Sequence, residues 1–178
     1  LAGKIVALPA ASSSTALAAA QIVKHFGGTT IGLTTSPGKV DQLRELGDMS
    51  PFDHVVVTHD KDDAGNRAMR KWHRDLRPIT EHSPGGGIDV FFDPVASGKY
   101  LATEILCLAT GGAIHVYGLL GDPDVVDLSP LIRKRGTVAG WVNGEILDAG
   151  EDHWRTACRA ILDRFADGTF RQHIGGRW

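Results

Sequence analysis

Short apolar runs alternate with longer amphipathic stretches along most of this 178-residue chain. The short runs, rich in β-branched residues, predict buried strands at residues 5–8, 30–34, 54–58, 88–93, 113–118 and 137–142. Apolar residues at helical spacing predict helices at 15–26, 37–46, 99–108, 130–134 and 152–166. Strands that are apolar on both faces and alternate with helices are typical of a parallel sheet with both faces covered.

This pattern predicts an α/β fold, a Rossmann-type doubly wound parallel sheet of about six strands with helices on both faces. Residues 60–83 are polar and rich in charge. Within them Ala68, Met69, Trp72, Leu76 and Ile79 follow the spacing of one helical face, so we expect a helix there.

We expect one domain over residues 1–178, because the length suits a single core and no repeat, linker or low-complexity tract divides the chain. The sequence begins at Leu1 with no initiator Met and no signal-peptide pattern. This beginning indicates a segment of a longer polypeptide, or a chain whose earlier residues are not shown.

Composition indicates which partners to expect. The net charge of −2 gives no electrostatic reason to bind nucleic acid or an anionic membrane. No apolar run approaches the roughly 20 residues that span a bilayer. Cys107 and Cys158 form no CxxC pair, which favours two free thiols in a reducing cytosol. We therefore expect a cytoplasmic protein with no nucleic-acid or membrane partner.

The turn after the first strand is made of small residues. Ligands of doubly wound sheets bind at the carboxyl ends of the strands. Small side chains let the backbone approach a pyrophosphate, and the helix N-terminus offers N–H groups and a positive dipole end. The alternative is a serine cluster that only caps the helix, since no glycine is present. The candidate cofactor contacts in this turn are Ala11, Ser12, Ser13, Ser14 and Thr15.

The end of the second strand discriminates between the two nicotinamide cofactors. Proteins that prefer NAD(H) usually carry Asp or Glu there to bind the ribose 2′-hydroxyl, and this chain has no acid before Asp41. Hydroxyl groups and a cation suit a 2′-phosphate, although a lysine here can also be a solvated helix residue. The sequence therefore favours NADP(H), and its candidate contacts are Thr34, Thr35, Ser36 and Lys39.

Other chemistries lack their residues. Short-chain dehydrogenases need Tyr-x-x-x-Lys, but Glu104 follows Tyr100 and Gly121 follows Tyr117 at that spacing. The sequence contains no HExxH motif, no clustered Cys and His, and no G-x-S-x-G elbow. We assign no catalytic and no metal-binding residue to this chain.

The Ala-Ala-Ser-Ser-Ser-Thr-Ala turn resembles the nucleotide-binding turn of medium-chain dehydrogenases/reductases, in the quinone oxidoreductase and enoyl reductase branch. Further segments resemble that family in order, at residues 34–39, 43–47, 88–95, 111–118, 130–140 and 162–174. Two features depart from it. Thr15-Ala16 replaces the usual Val-Gly, so that Ala16 is expected to crowd a pyrophosphate, and the stretch 60–83 is long and charged.

The resemblance implies that further residues line the nicotinamide and its ribose, namely Asp93, Val95, Gly118, Leu119, Leu120 and Trp141. It also implies hydride transfer from NADPH to an enoyl, quinone or other α,β-unsaturated carbonyl substrate. Relatives complete their site with a GroES-like catalytic domain, and nothing in this sequence corresponds to it. Asp93 reads as a turn or capping residue and receives no catalytic role.

Two functions stay open at this point. The chain is the cofactor-binding domain of an NADPH-dependent reductase acting on a small molecule, or a Rossmann-like structural or partner-binding module without cofactor affinity. The second interpretation depends on Thr15-Ala16 and the charged stretch 60–83. The apolar sixth strand is also expected to pair with a second copy in a homodimer.

Overall fold

The computed structural model describes residues 1–47, 50–61, 67–69, 71–81, 83–122 and 124–172. The strands are β1 (Ile5–Pro9), β2 (Thr29–Thr34), β3 (His54–Val57), β4 (His59–Lys61), β5 (Arg67–Met69), β6 (Ile88–Asp93), β7 (Leu108–Val116) and β8 (Thr137–Gly140). Six of them form one sheet in the order β3-β2-β1-β6-β7-β8, and every neighbouring pair is parallel. The predicted Rossmann-type doubly wound sheet is confirmed.

Helices connect the strands. They are α1 (Ser14–His25), α2 (Pro37–Glu45), α3 (His73–Thr80), α4 (Gly98–Cys107), α5 (Pro130–Lys134), α6 (Gly144–Asp148) and α7 (Glu151–Ala166). Their bounds agree closely with the predicted helices, except that the sequence did not indicate α6. Short helices such as α6 give too few residues for a period to be recognised.

The two faces of the sheet pack against different helices. Successive side chains of β1 point to opposite faces. Ile5 and Ala7 belong to the core that contains the buried residues of α3 and α4, whereas Val6 and Leu8 pack with the buried side of α1. This division explains why β1 is apolar at every position, and it confirms helices on both faces.

The single helix expected in residues 60–83 is wrong in its first part. Chain segments β4 and β5 form an antiparallel hairpin in which His59 pairs with Met69, and α3 begins only at His73. Met69 still packs against the core that contains Trp72 and Leu76. The apolar spacing thus identified buried residues, but it could not distinguish a strand followed by a helix from one continuous helix. Residues 62–66, 70 and 82 of this stretch lie outside the described residues.

Two strand boundaries also differ from the prediction. Residues 110–112, between the predicted helix at 99–108 and the predicted strand at 113–118, lie within β7, where Gly111 has a φ of +80° and the register with β6 shifts. A glycine with positive φ and a register shift are typical of a β-bulge, so the strand continues through a sequence that resembles a turn. At the other edge β8 ends at Gly140 rather than at residue 142.

The chain forms two compact units, Leu1–Gly140 and Trp141–Trp178. The first contains the sheet and its core. The second contains α6 and α7, with the rings of Phe165 and Phe170 edge to face at 6.1 Å. The expectation of a single domain over residues 1–178 stays a prediction. The end of the matching segment 162–174 lies outside the described residues.

Candidate functional site

A cleft of about 700 Å³ opens at the carboxyl ends of the central strands. β1 and β6 are neighbours there, and the chain winds outward from them in opposite directions, which is where doubly wound sheets bind ligands. Of the residues predicted from sequence, the cleft is lined by Ser12, Thr34, Thr35, Lys39, Val95 and Leu120. Sequence reasoning missed Ala10, Leu33, His59, Met69, Ser97, Gly98, Lys99, Tyr100, Gly121, Asp122 and Asp124.

The turn after β1 presents backbone donors. Ser13 is the N-cap of α1, and its Oγ accepts a hydrogen bond from the N–H of Ala16 at 3.2 Å. The N–H groups of Ser12, Ser14 and Thr15 have no hydrogen-bond partner among the described residues. Unpaired N–H groups at the positive end of a helix dipole suit an anion. Ser13 therefore caps the helix, as one interpretation of the serine cluster predicts, while anion binding by its neighbours stays a prediction.

Two of the three alanines of this turn, Ala11 and Ala16, are buried in the protein interior. The N–H of Ala11 donates to the Leu33 carbonyl at 3.0 Å, and its side chain is fully buried. Ala16 is 1% exposed and packs with Val6 and Leu8 on the sheet. The methyl group expected to crowd a pyrophosphate is therefore part of the core. Close packing of helix on strand is the ordinary reason for a small residue here.

Hydroxyl groups and a lysine lie at the end of β2. The carbonyl of Thr34 accepts hydrogen bonds from the N–H and the Oγ1 of Thr58, at 2.8 and 3.2 Å, which joins the ends of β2 and β3. The Oγ1 of Thr34 accepts from the N–H of Ser36 at 3.4 Å, so Ser36 belongs to the turn rather than to the lining. Thr35 and the exposed Lys39 line the cleft. A hydroxyl and an ammonium group thus lie at one end of the cleft.

Asp93 organises the loop that follows β6. It is fully buried, and its Oδ1 and Oδ2 accept hydrogen bonds from the N–H groups of Val95 and Ala96 at 2.6 and 2.8 Å. Burial raises the pKa of Asp93, although the two backbone donors act in the opposite direction. Asp93 does not line the cleft but positions Val95, which does.

The loop after β7 pairs with this first loop. The N–H groups of Leu120 and Gly121 donate to the carbonyls of Pro94 and Val95, both at 2.9 Å. A Cβ on Gly118 would lie 2.9 Å from the carbonyl oxygen of Pro94, so glycine permits this approach. The neighbouring leucines are largely exposed, Leu119 at 82% and Leu120 at 76%. The two loops therefore form one wall of the cleft, with apolar side chains beside it.

Two aromatic rings line the cleft at positions that the sequence did not indicate. The rings of His59 and Tyr100 stack at 6.5 Å, and His59 Nδ1 lies 2.9 Å from Thr58 Oγ1. Burial raises the pKa of Tyr100 well above its usual value, and nearby carboxylates add to this effect. His59 follows a predicted strand directly, so the carboxyl-end rule could have found it. Trp141 belongs to the second unit.

The described ranges contain neither a candidate metal site nor a candidate membrane-spanning helix. No three side chains of His, Cys, Asp or Glu in those ranges come together in a way that could hold a metal ion. No helix among the described residues is long and apolar enough to cross a membrane.

Comparison with known proteins assigns the family. The sequence model of the zinc-binding dehydrogenases matches residues 15–163. The chain belongs to this family. The match extends from α1 to α7, and it confirms the resemblance to the nucleotide-binding domain of medium-chain dehydrogenases/reductases.

Solved structures share the fold. A mutant enoyl thioester reductase from Candida tropicalis is 19% identical with a TM-score of 0.75, over 98% of this chain and 46% of its own. A quinone oxidoreductase from Pseudomonas syringae pv. tomato DC3000 is 21% identical with a TM-score of 0.73, over 98% and 48%. A mycobacterial protein in complex with NADPH is 17% identical with a TM-score of 0.75, over 99% and 50%. This chain spans about half the length of these structures.

Proposed function

We propose that this chain is the NADP(H)-binding domain of a reductase that passes hydride to an enoyl, quinone or other α,β-unsaturated carbonyl substrate. The observation that carries the proposal is that the N–H groups of Ser12, Ser14 and Thr15 have no partner in the part of the chain that the structure describes. They stand at the positive end of α1 beside a cleft at the switch point of the sheet. A pyrophosphate is the anion that such a turn binds in doubly wound folds.

The rest of the cleft fits the other parts of the dinucleotide. Lys39 and Thr35 would hold the 2′-phosphate, because an ammonium and a hydroxyl both donate to phosphate oxygens. Val95 and Leu120 would contact the nicotinamide and its ribose, and these apolar side chains would exclude water. When bound, the reduced nicotinamide supplies the hydride, while the chain binds and orients it. We retain Gly118 and Leu119 as proposed neighbours of this part, and the role of Trp141 stays a prediction from the sequence.

The proposed class of hydride acceptor is supported by the names of two matched structures. Two of the matched structures are named as an enoyl thioester reductase and a quinone oxidoreductase, which supports an electron-poor double bond or quinone as the acceptor. We propose that a separate GroES-like catalytic domain supplies the residues that select and protonate this small molecule. Cytoplasmic location and a homodimer through β8 stay predictions.

Calorimetric titration of this chain with NADPH and, separately, with NADH tests the proposed function. We expect saturable micromolar binding of NADPH, binding of NADH at least about tenfold weaker, and no turnover by this chain alone. Lack of saturable binding for either cofactor contradicts the proposal and supports the alternative, a Rossmann-like structural module. Tighter binding of NADH would contradict the assignment of Lys39.

A further inference from the structure

Glu104 is a buried carboxyl group without a hydrogen-bond donor. It lies on α4 and is fully buried, and neither of its carboxylate oxygens has a hydrogen-bond partner that donates to it among the described residues. An ionised carboxylate in such a place would be costly, because burial removes its hydration and nothing replaces it. The charge state of Glu104 therefore needs an explanation.

Beyond the effect of burial, a side-chain hydrogen bond between Glu104 and Asp93 raises the pKa of Glu104 and lowers that of Asp93. Two carboxyl groups can form a hydrogen bond only if one of them holds a proton. Asp93 accepts hydrogen bonds from two backbone N–H groups, which stabilise its ionised form. Glu104 receives none. The proton of the pair therefore belongs on Glu104.

We propose that Glu104 is a positioning residue: as a neutral acid it donates a hydrogen bond to Asp93 and thereby holds both loops that wall the cleft. Asp93 holds Ala96 at a φ of +46°, a conformation that L-residues adopt only where neighbours enforce it. The same loop accepts hydrogen bonds from Leu120 and Gly121 through the carbonyls of Pro94 and Val95. The acid pair thus stabilises the loop after β6 directly, and through it the loop after β7.

Two ionisable groups near Glu104, Tyr100 and Cys107, stay neutral near neutral pH because burial raises the pKa of each. Burial raises the pKa of Tyr100 well above its usual value, and it raises the pKa of the Cys107 thiol to about 12. Lys134 of α5 acts on Cys107 through its positive charge. Burial also raises the pKa of Glu104 well above its usual value, and the charge of Asp93 adds to this. The titration of the pair is therefore that of Glu104 and Asp93.

The effect on cofactor binding rests on the proposed function, and two variants test it. In Glu104→Gln the amide N–H can replace the proposed donor, so the Kd for NADPH should stay within about twofold of the unmodified chain. In Glu104→Leu the donor is lost, and the Kd should rise about tenfold. Glu145→Gln, an exposed glutamate on α6, is the matched control. A Gln variant that is as weak as the Leu variant overturns the proposal.

Two further measurements do not need the cofactor. The infrared spectrum near neutral pH should contain the band of a protonated carboxylic acid, and Glu104→Gln should lack it. Because the native pKa is raised, the free energy of unfolding should fall as pH rises above the unfolded pKa of Glu, about 4.3, up to the native pKa of Glu104. Glu104→Gln should show a smaller decline, because only Asp93 of the pair then remains with a raised pKa.

These outcomes separate the two proposals. If the unmodified chain does not bind NADPH, the proposed function fails, while the infrared band and the unfolding profile still decide the state of Glu104. If Glu104→Leu does not fold, the comparison of Glu104→Gln with the unmodified chain decides it. An unmodified chain without the carboxylic acid band, or with the same pH profile as Glu104→Gln, overturns the assignment of the proton.

Discussion

The Oδ2 atom of Asp93 accepts a hydrogen bond from the N–H of Ala96 at 2.8 Å, and Ala96 has a φ of +46°. A side chain at this φ approaches its own backbone, so the conformation needs support from its surroundings. Asp93 gives that support with both oxygens, since Val95 donates to the other one. Ala10, with a φ of +54°, directly follows β1. Both strained turns lie where the chain leaves the sheet at the cleft.

Replacing Asp93 should destabilise the fold. In Asp93→Ala two half-buried N–H groups lose their acceptor, and we expect the free energy of unfolding to fall by about 2–4 kcal/mol in urea denaturation. The control is Asp41→Ala, which removes an exposed ion pair with Arg44 and should change stability by less than about 1 kcal/mol. Equal losses in the two variants would mean that the loop does not depend on Asp93.

Glycine should be better tolerated at Ala96 than in a helix. Ala96→Gly removes the strain of positive φ and adds freedom to the unfolded chain, so the free energy of unfolding should change by at most about 1 kcal/mol. Ala18→Gly, on the exposed side of α1, should lose about 1 kcal/mol because glycine weakens a helix interior. Thermal unfolding of both variants makes the comparison. A larger loss at Ala96 than at Ala18 would contradict the strain.

Lys39 should determine the choice of cofactor. If its ammonium group holds the 2′-phosphate, Lys39→Ala should raise the Kd for NADPH about tenfold and leave the Kd for NADH unchanged. Arg44→Ala removes a positive charge from the same helix outside the cleft lining, and it serves as the control in the same calorimetric titrations. Equal weakening of both cofactors by Lys39→Ala would assign the 2′-phosphate to other residues.

Asp53 should make stability depend on acid. Burial raises the pKa of Asp53, but the hydrogen bonds from Lys24 and Thr30 together lower it by more than burial raises it. The net pKa therefore lies below its usual value. A lowered native pKa stabilises the fold above the unfolded pKa, and that stabilisation is lost as pH falls through the native value. Asp53→Asn should therefore cost about 1–2 kcal/mol at neutral pH and much less near pH 3, measured by urea denaturation. A pH-independent difference would contradict the lowered pKa.

Sequence patterns gave the sheet and one side of the site. Unbroken apolar strands such as β1 indicate burial on both faces, and this property follows from local composition alone. The small residues after β1 and the hydroxyl groups after β2 are also local features of the sequence. Ser12, Thr34 and Thr35, which line the cleft, could therefore be predicted from the sequence alone. Right-handed connections then favour the doubly wound arrangement, whereas the strand order itself came from the structure.

The tertiary structure decided the rest, because those features depend on residues far apart in sequence. Met69 and Trp72 follow helical spacing because both pack on the same core, yet Met69 belongs to a hairpin. No local sequence pattern distinguishes this arrangement from a continuous helix. His59 and Tyr100 meet only because β3 ends and α4 begins at the same edge of the sheet. In the sequence Glu104 was noted only because it stands where a Tyr-x-x-x-Lys motif would have its lysine. Only the fold brings it near Asp93, and the protonation of a buried acid depends on such a neighbour.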